Sequence, residues 1–201
     1  MNIPNTLTIA RIFFVPLLVA VLVQERIILH WNGAVITNDV VALIIFWVAA
    51  ATDLLDGYLA RRWKQVTTIG TLLDPIADKL MLVTSFIVLS MRTVFPVPVP
   101  RHLPIPFWVT ITVISRDAFI LVGAGAINIV TGFRGFRPSW PGKVSTVAQI
   151  ITIAAVMLAA RVRIGAGYYL PTIYACVFGL TLFSGIHYVF FVSRLMNEER
   201  R

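Results

Sequence analysis

Apolar residues along this chain gather into runs of about twenty, separated by short polar or proline-rich breaks. The runs fall at 7–23, 40–59, 70–91, 107–130, 144–160 and 169–192. Each predicts one helix adequate to cross a hydrocarbon core of ~30 Å. The breaks are as telling as the runs. Residues 1–6 are polar and hold Pro4, and Arg11 and Pro16 interrupt the run that follows. A cleaved leader needs an unbroken apolar region and a small-residue cleavage site, so 7–23 reads as a first span with a short interfacial start. A polar loop is expected over 24–39 and a basic connector over 61–68. Pro75 belongs in the first turns of the third span, where a missing N–H is best tolerated. Pro96, Pro98, Pro100, Pro104 and Pro106 define an extended loop that cannot be helical. A second basic connector, GFRGFRPSWPGK, precedes the fifth span, and a charged tail closes the chain from Arg194 to Arg201.

Composition agrees with that pattern. Of the 201 residues, 58% are hydrophobic and only 13% charged, far from a soluble average. The expectation is one all-α integral membrane domain over 1–201 with six transmembrane helices. The lone Cys176 lies in an apolar run, so no disulfide framework is possible and packing is its simplest role. A net charge of +8 could suggest nucleic acid. The basic residues cluster at span ends, however, where they fix topology and meet anionic lipid or phosphate, so no nucleic-acid partner is expected. Lys and Arg are more numerous in the 2–3 loop, the 4–5 loop and the tail than on the opposite side. That places both termini and the 2–3 connector in the cytoplasm.

Against so apolar a background the segment from Asp53 to Asp78 stands out. It carries Asp53, Asp56, Asp74 and Asp78, and each Asp at a helix centre costs roughly 2.5–3.5 kcal/mol to insert. Asp53 and Asp56 are three apart, Asp74 and Asp78 four apart, so each pair shares a helix face. Two helix ends joined by a short turn would bring the pairs together. Four carboxylates with no local His or Cys suit two hard cations, Mg²⁺ or Mn²⁺, and a two-metal site clamps a phosphoryl group. The competing reading pairs the acids with Arg61, Arg62 and Lys79. It explains neither the spacing nor Gly57 and Gly70, which permit close backbone approach or room for a substrate.

The array Asp53-x2-Asp56-Gly57-x2-Ala60-Arg61-x8-Gly70-x3-Asp74-x3-Asp78 resembles the motif of the CDP-alcohol phosphatidyltransferase family. That resemblance implies a cytoplasmic-side di-metal site between helices 2 and 3, a bacterial-type plasma membrane, and a homodimer. It implies that CDP-diacylglycerol is the donor and CMP the leaving group. Asp53, Asp56, Asp74 and Asp78 would be metal ligands, with Asp78 also the general base. Gly57, Ala60, Arg61 and Gly70 would serve donor binding. Asn5, Leu7, Thr8 and Arg11 resemble the opening of family members that use sn-glycerol 3-phosphate as acceptor.

Other features pull toward members that use phosphatidylglycerol. These are Ser115-Arg116-Asp117, and Lys143-x-Ser145-Thr146 followed by Gln149. Glycerol 3-phosphate is the leading acceptor and phosphatidylglycerol the alternative. Arg116 is read either as half of an internal ion pair or, with Lys143, Ser145 and Thr146, as an acceptor-phosphate contact. Trp31, Trp47, Trp108 and Trp140 are expected mostly near span ends, and Gly123 and Gly125 in helix packing or a dimer contact. Two other classes fit less well. A membrane prenyltransferase needs a far longer gap between its acidic pairs, and a divalent-cation transporter needs neither Ala60-Arg61 nor the glycines.

Overall fold

The computed structural model describes residues 3–24, 29–31, 34–63, 68–95, 97–131, 140–161 and 166–198, with side chains at 3–11, 29–31, 34–36, 53–63, 68–78, 124, 126–131 and 194–198 outside the description. Six long helices account for most of the chain: α1 (Ile3–Val23), α2 (Asn38–Trp63), α3 (Thr68–Ser90), α4 (Phe107–Thr131), α5 (Trp140–Arg161) and α6 (Ala166–Glu198). They match the six apolar runs, extended by a few residues at most ends. The largest extension is at the tail, where α6 carries on to Glu198 through residues expected to lie beyond the sixth run.

Two local expectations are corrected. The segment 24–39 is not wholly loop. Strands β1 (Leu29–Trp31) and β2 (Ala34–Ile36) pair antiparallel there, with Trp31 opposite Ala34. That register leaves Asn32-Gly33 as a two-residue connection, the dipeptide that hairpins favour. Pro75 stands eighth in α3, which begins at Thr68, so it lies beyond the first turn. The proline-rich stretch behaves as expected. A single 3₁₀ turn at Arg92–Val94 precedes it, and the described residues from Val97 to Pro106 are not helical.

Side-chain contacts fix the helix directions. The Ser90 and Thr110 hydroxyls meet at 2.6 Å and Lys79 meets Asp117 at 2.7 Å, so α3 and α4 are antiparallel. Trp108 stacks edge-on with Phe178, and Phe119 with Tyr188, so α4 and α6 run parallel. Ser145 meets Thr181, while a groove between the same two helices is lined by Thr152 and Ile173, so α5 and α6 are antiparallel. It follows that α3 and α5 run in the same direction. Helix α1 packs on both α2 and α3, and α5 packs on α2, α3 and α6. Asn38 joins the first two helices by donating to the carbonyls of Val21 and Gln24, at 3.2 and 2.8 Å.

The core runs through the middle of the bundle: Leu18, Phe46, Phe86, Leu89, Val109, Ile153 and Leu170 are all buried. The exterior is equally apolar. Every helix exposes large hydrophobic residues, among them Phe13, Trp47, Leu80, Val122, Val147 and Phe190. Continuous apolar exposure of that kind is suited to lipid rather than water. Among the described residues, two helices, Trp140–Arg161 and Ala166–Ser193, are long and apolar enough to cross a membrane. Trp108 and Trp140 stand at helix starts as expected, but Trp47 lies mid-helix in α2. Gly123 is a packing glycine, since a Cβ there would sit 3.0 Å from the Tyr188 hydroxyl of α6. Gly125 has no described atom within 4 Å of such a Cβ and makes no comparable contact.

Candidate active site

The acidic motif divides between α2 and α3, and helical register says which face it occupies. On α2 the buried residues Ala42, Phe46 and Ala49 advance in steps of four and three. Asp53 and Asp56 continue the same steps. On α3, reading backward from Leu89 through Ser85 and Leu82, all buried, steps of four reach Asp78 and then Asp74. Within each helix the two acids of a pair therefore share one face of the backbone register.

Their axial positions also correspond. Asp53 lies ten positions before Trp63, where α2 ends, and Asp78 ten positions after Thr68, where α3 begins. Asp56 and Asp74 lie seven and six positions from the same ends. At 1.5 Å per residue the acids lie about 15 Å and about 10 Å along their own helices from those ends. The side chains of Asp53, Asp56, Gly57, Ala60, Arg61, Gly70, Asp74 and Asp78 are outside the described ones. Arg134 and Arg137 of the second basic connector also lie outside the described residues.

The residue after Asp78, Lys79, belongs to an ion cluster. Lys79 Nζ donates to Asp117 Oδ2 at 2.7 Å, and Arg116 donates from Nη1 to Asp117 Oδ1 at 2.6 Å. The second terminal nitrogen of Arg116 donates to the Ser184 hydroxyl of α6. Asp117 and Arg116 are buried, with side chains 4% and 8% exposed, whereas Lys79 is 31% exposed. One carboxylate thus joins two cations from α3 and α4, and the guanidinium carries the tie on to α6. Among the described residues two positive charges meet one negative, and Lys79 directly follows Asp78 in the chain. Lys79, which sequence offered as a counter-ion to the motif acids, is engaged with α4. Arg116 forms the internal ion pair, and its buried Nε has no hydrogen-bond partner.

The candidate acceptor residues occupy the start of α5. Lys143 is exposed. Thr146 donates to the Gly142 carbonyl at 3.1 Å, and the fully buried Ser145 lies 3.4 Å from the Thr181 hydroxyl. Ser145 and Thr146 are therefore engaged within the protein, and Lys143 alone of the three presents a charge outward. Sequence reasoning passed over Thr181 and Ser184. Their signal was available: Thr181, Ser184 and His187 recur every third residue through an otherwise apolar helix.

Comparison with known proteins gives this arrangement its context. The model of the CDP-alcohol phosphatidyltransferase family matches residues 1–192. A CDP-diacylglycerol–glycerol-3-phosphate 3-phosphatidyltransferase of Blochmanniella floridana is 33% identical over 201 residues, covering 97% of this chain and 93% of that one. The enzyme of the same name from Bacillus subtilis is 31% identical, covering 78% of this chain and 77% of its own. A CMP-forming cardiolipin synthase of Streptomyces coelicolor is 29% identical, over 99% of this chain and 86% of the relative. With a family model matching nearly the whole chain and relatives above 30% identity along most of it, this chain is an enzyme of the CDP-alcohol phosphatidyltransferase family.

Proposed function

We propose that the protein transfers a phosphatidyl group from CDP-diacylglycerol to sn-glycerol 3-phosphate, giving phosphatidylglycerophosphate and CMP. What supports this reading is the family match over residues 1–192 and the relatives named for that reaction, together with the spacing of the four acids, three apart on α2 and four apart on α3. All six helices cross the membrane, and the α2–α3 link, the α4–α5 connector and the tail face the cytoplasm, where Lys and Arg are concentrated. The working unit is a homodimer. Lipid donor and water-soluble acceptor then meet at the membrane surface without either leaving its solvent.

Asp53, Asp56, Asp74 and Asp78 supply only hard oxygen donors, a set that fits two Mg²⁺ or Mn²⁺ ions. When bound, such ions neutralise a diphosphate and lower the pKa of a nearby hydroxyl. Asp78 takes the proton of the acceptor hydroxyl. The acceptor oxygen bonds to the β-phosphorus of the donor, and the bond from that phosphorus to the bridging oxygen breaks, so that CMP leaves with the electron pair. An Asp is a weak base at neutral pH, so its competence depends on position. Arg116 and Asp117 provide that position indirectly, tying Lys79 and the turn that bears Asp78 to α4 and α6. Gly57, Ala60, Arg61 and Gly70 receive the cytidine diphosphate, and Lys143 meets the acceptor phosphate.

Phosphatidylglycerol is the second acceptor reading, supported by similarity to the Streptomyces coelicolor cardiolipin synthase along almost the whole chain. The test gives purified protein CDP-diacylglycerol with glycerol 3-phosphate, phosphatidylglycerol, serine or inositol phosphate in turn and follows CMP. Release with glycerol 3-phosphate is expected, and Asp78→Asn abolishes it while largely sparing donor binding, which the remaining acids and the donor-binding residues still support. Release with serine or inositol phosphate alone would refute the assignment.

A further inference from the structure

Helix α5 buries a face made of Ser145, Gln149, Thr152, Ile153, Val156, Met157, Ala159 and Ala160. Gln149 lies within that face and is fully buried. Ser145 reaches Thr181, and Thr152 donates to the Ala148 carbonyl. Gln149 differs from both. Neither its amide nitrogen nor its amide oxygen has a hydrogen-bond partner. A buried carboxamide left unpaired is among the costlier polar groups a fold can hold, and native proteins keep few of them. Leucine or methionine would fill the same space without that cost.

The surroundings suggest what the amide is kept for. Helix α5 packs on α2 and α3, the helices that bear the four acids, and runs in the direction of α3. Side chains on a helix lean toward its N-terminus, so the Gln149 head group leans toward Ser145 and the end of α5 that carries Lys143. A ligand that met this amide would be enclosed by the bundle, which disfavours an acyl chain, and would have to offer both a donor and an acceptor. A hydroxyl does so. Both acceptors considered above present a glycerol whose attacking hydroxyl is flanked by a second, free hydroxyl on C2.

We propose that Gln149 is a specificity-determining residue that hydrogen-bonds the C2 hydroxyl of the acceptor glycerol and so orients the neighbouring hydroxyl for attack. The inference rests on the glycerol-acceptor reading above. Free glycerol phosphate and a lipid headgroup share this chemistry, so both enter the test.

The full-length enzyme in nanodiscs is assayed for CMP release with glycerol 3-phosphate and, separately, with phosphatidylglycerol. Each is compared with its analogue lacking the C2 hydroxyl, 3-hydroxypropyl phosphate or phosphatidylpropanediol. For the acceptor used, Gln149→Leu is expected to raise KM about tenfold or more, with CDP-diacylglycerol binding unchanged. The penalty should vanish with the C2-deoxy analogue, on which wild type and variant perform alike. Thermal stability of the variant should hold or rise, because an unpaired amide has been removed; Gln149→Met supplies the same comparison should the Leu variant fold poorly.

Equal KM for wild type and variant on the glycerol acceptor would overturn the proposal alone. So would a penalty of the same size on the deoxy analogue. An enzyme that accepts neither glycerol compound would overturn the proposal together with the acceptor reading beneath it.

Discussion

Replacing Asp117 by leucine tests the electrostatic tie that holds α3 against α4 and α6. The carboxylate is 4% exposed and lies 2.6 Å from an Arg116 whose side chain is 8% exposed. Removing it leaves a guanidinium at helix mid-length whose one remaining hydrogen-bond partner among the described residues is Ser184. Breaking one side of a buried pair costs about 3–5 kcal/mol. An uncompensated Arg at the centre of a membrane helix costs roughly 2.5–3.5 kcal/mol on insertion scales. The two routes meet near ~3 kcal/mol. Lys79 contributes less, since its side chain is 31% exposed and a partly solvated pair is worth at most about 1 kcal/mol. Unfolding measured by SDS titration in mixed micelles should therefore rank Asp117→Leu as severe and Lys79→Met as mild. The informative variant is the double one, Arg116→Met with Asp117→Leu. Removing both charges leaves no stranded ion, so the double variant should recover most of the stability lost by Asp117→Leu. If the single costs simply add, the two residues do not act as a pair and the positioning role fails.

Two further outcomes follow from individual contacts. Gly123→Ala places a Cβ 3.0 Å from the Tyr188 hydroxyl and should destabilise by about 1–3 kcal/mol, with Tyr188→Phe relieving most of it. Gly125→Ala should instead gain up to about 1 kcal/mol from helix propensity, and thermal melts of the three variants check the ordering. Lys143 is exposed, so Lys143→Met should alter stability by less than about 0.5 kcal/mol. It should still raise KM for glycerol 3-phosphate in the CMP-release assay, and an unchanged KM would remove it from the acceptor site.

Much of this architecture could be read before any coordinates, because each helix is written as one largely apolar run of about twenty residues. The stretch bounded by Pro96 and Pro106 was equally plain, since closely spaced prolines exclude helix. The hairpin at 29–36 escaped notice for the opposite reason. Its strands are three residues each, too short for a periodicity to emerge, and Asn32-Gly33 was the one local clue. The acidic motif was legible from spacing alone, because carboxylates are conspicuous where charge is scarce. The Lys79–Asp117 tie was not: the residues are 38 positions apart, and only the antiparallel packing of α3 on α4 brings them together. Thr181 and Ser184 showed only as a polar recurrence with His187; their partners were not legible, since hydroxyls in an apolar helix commonly bond their own backbone. Gln149 was visible in sequence, yet its lack of partners is a property of three dimensions only.

The account depends on acids from two helices sharing ions, and manganese provides a direct probe. Metal-stripped enzyme titrated with Mn²⁺ should bind two ions per chain, with the exchange-broadened EPR spectrum of a close pair. Asp53→Asn and Asp78→Asn, on different helices, should each abolish the coupled signal, and CMP release should return only as the second ion binds. Two magnetically isolated ions, or undiminished CMP release in excess chelator, would contradict the account.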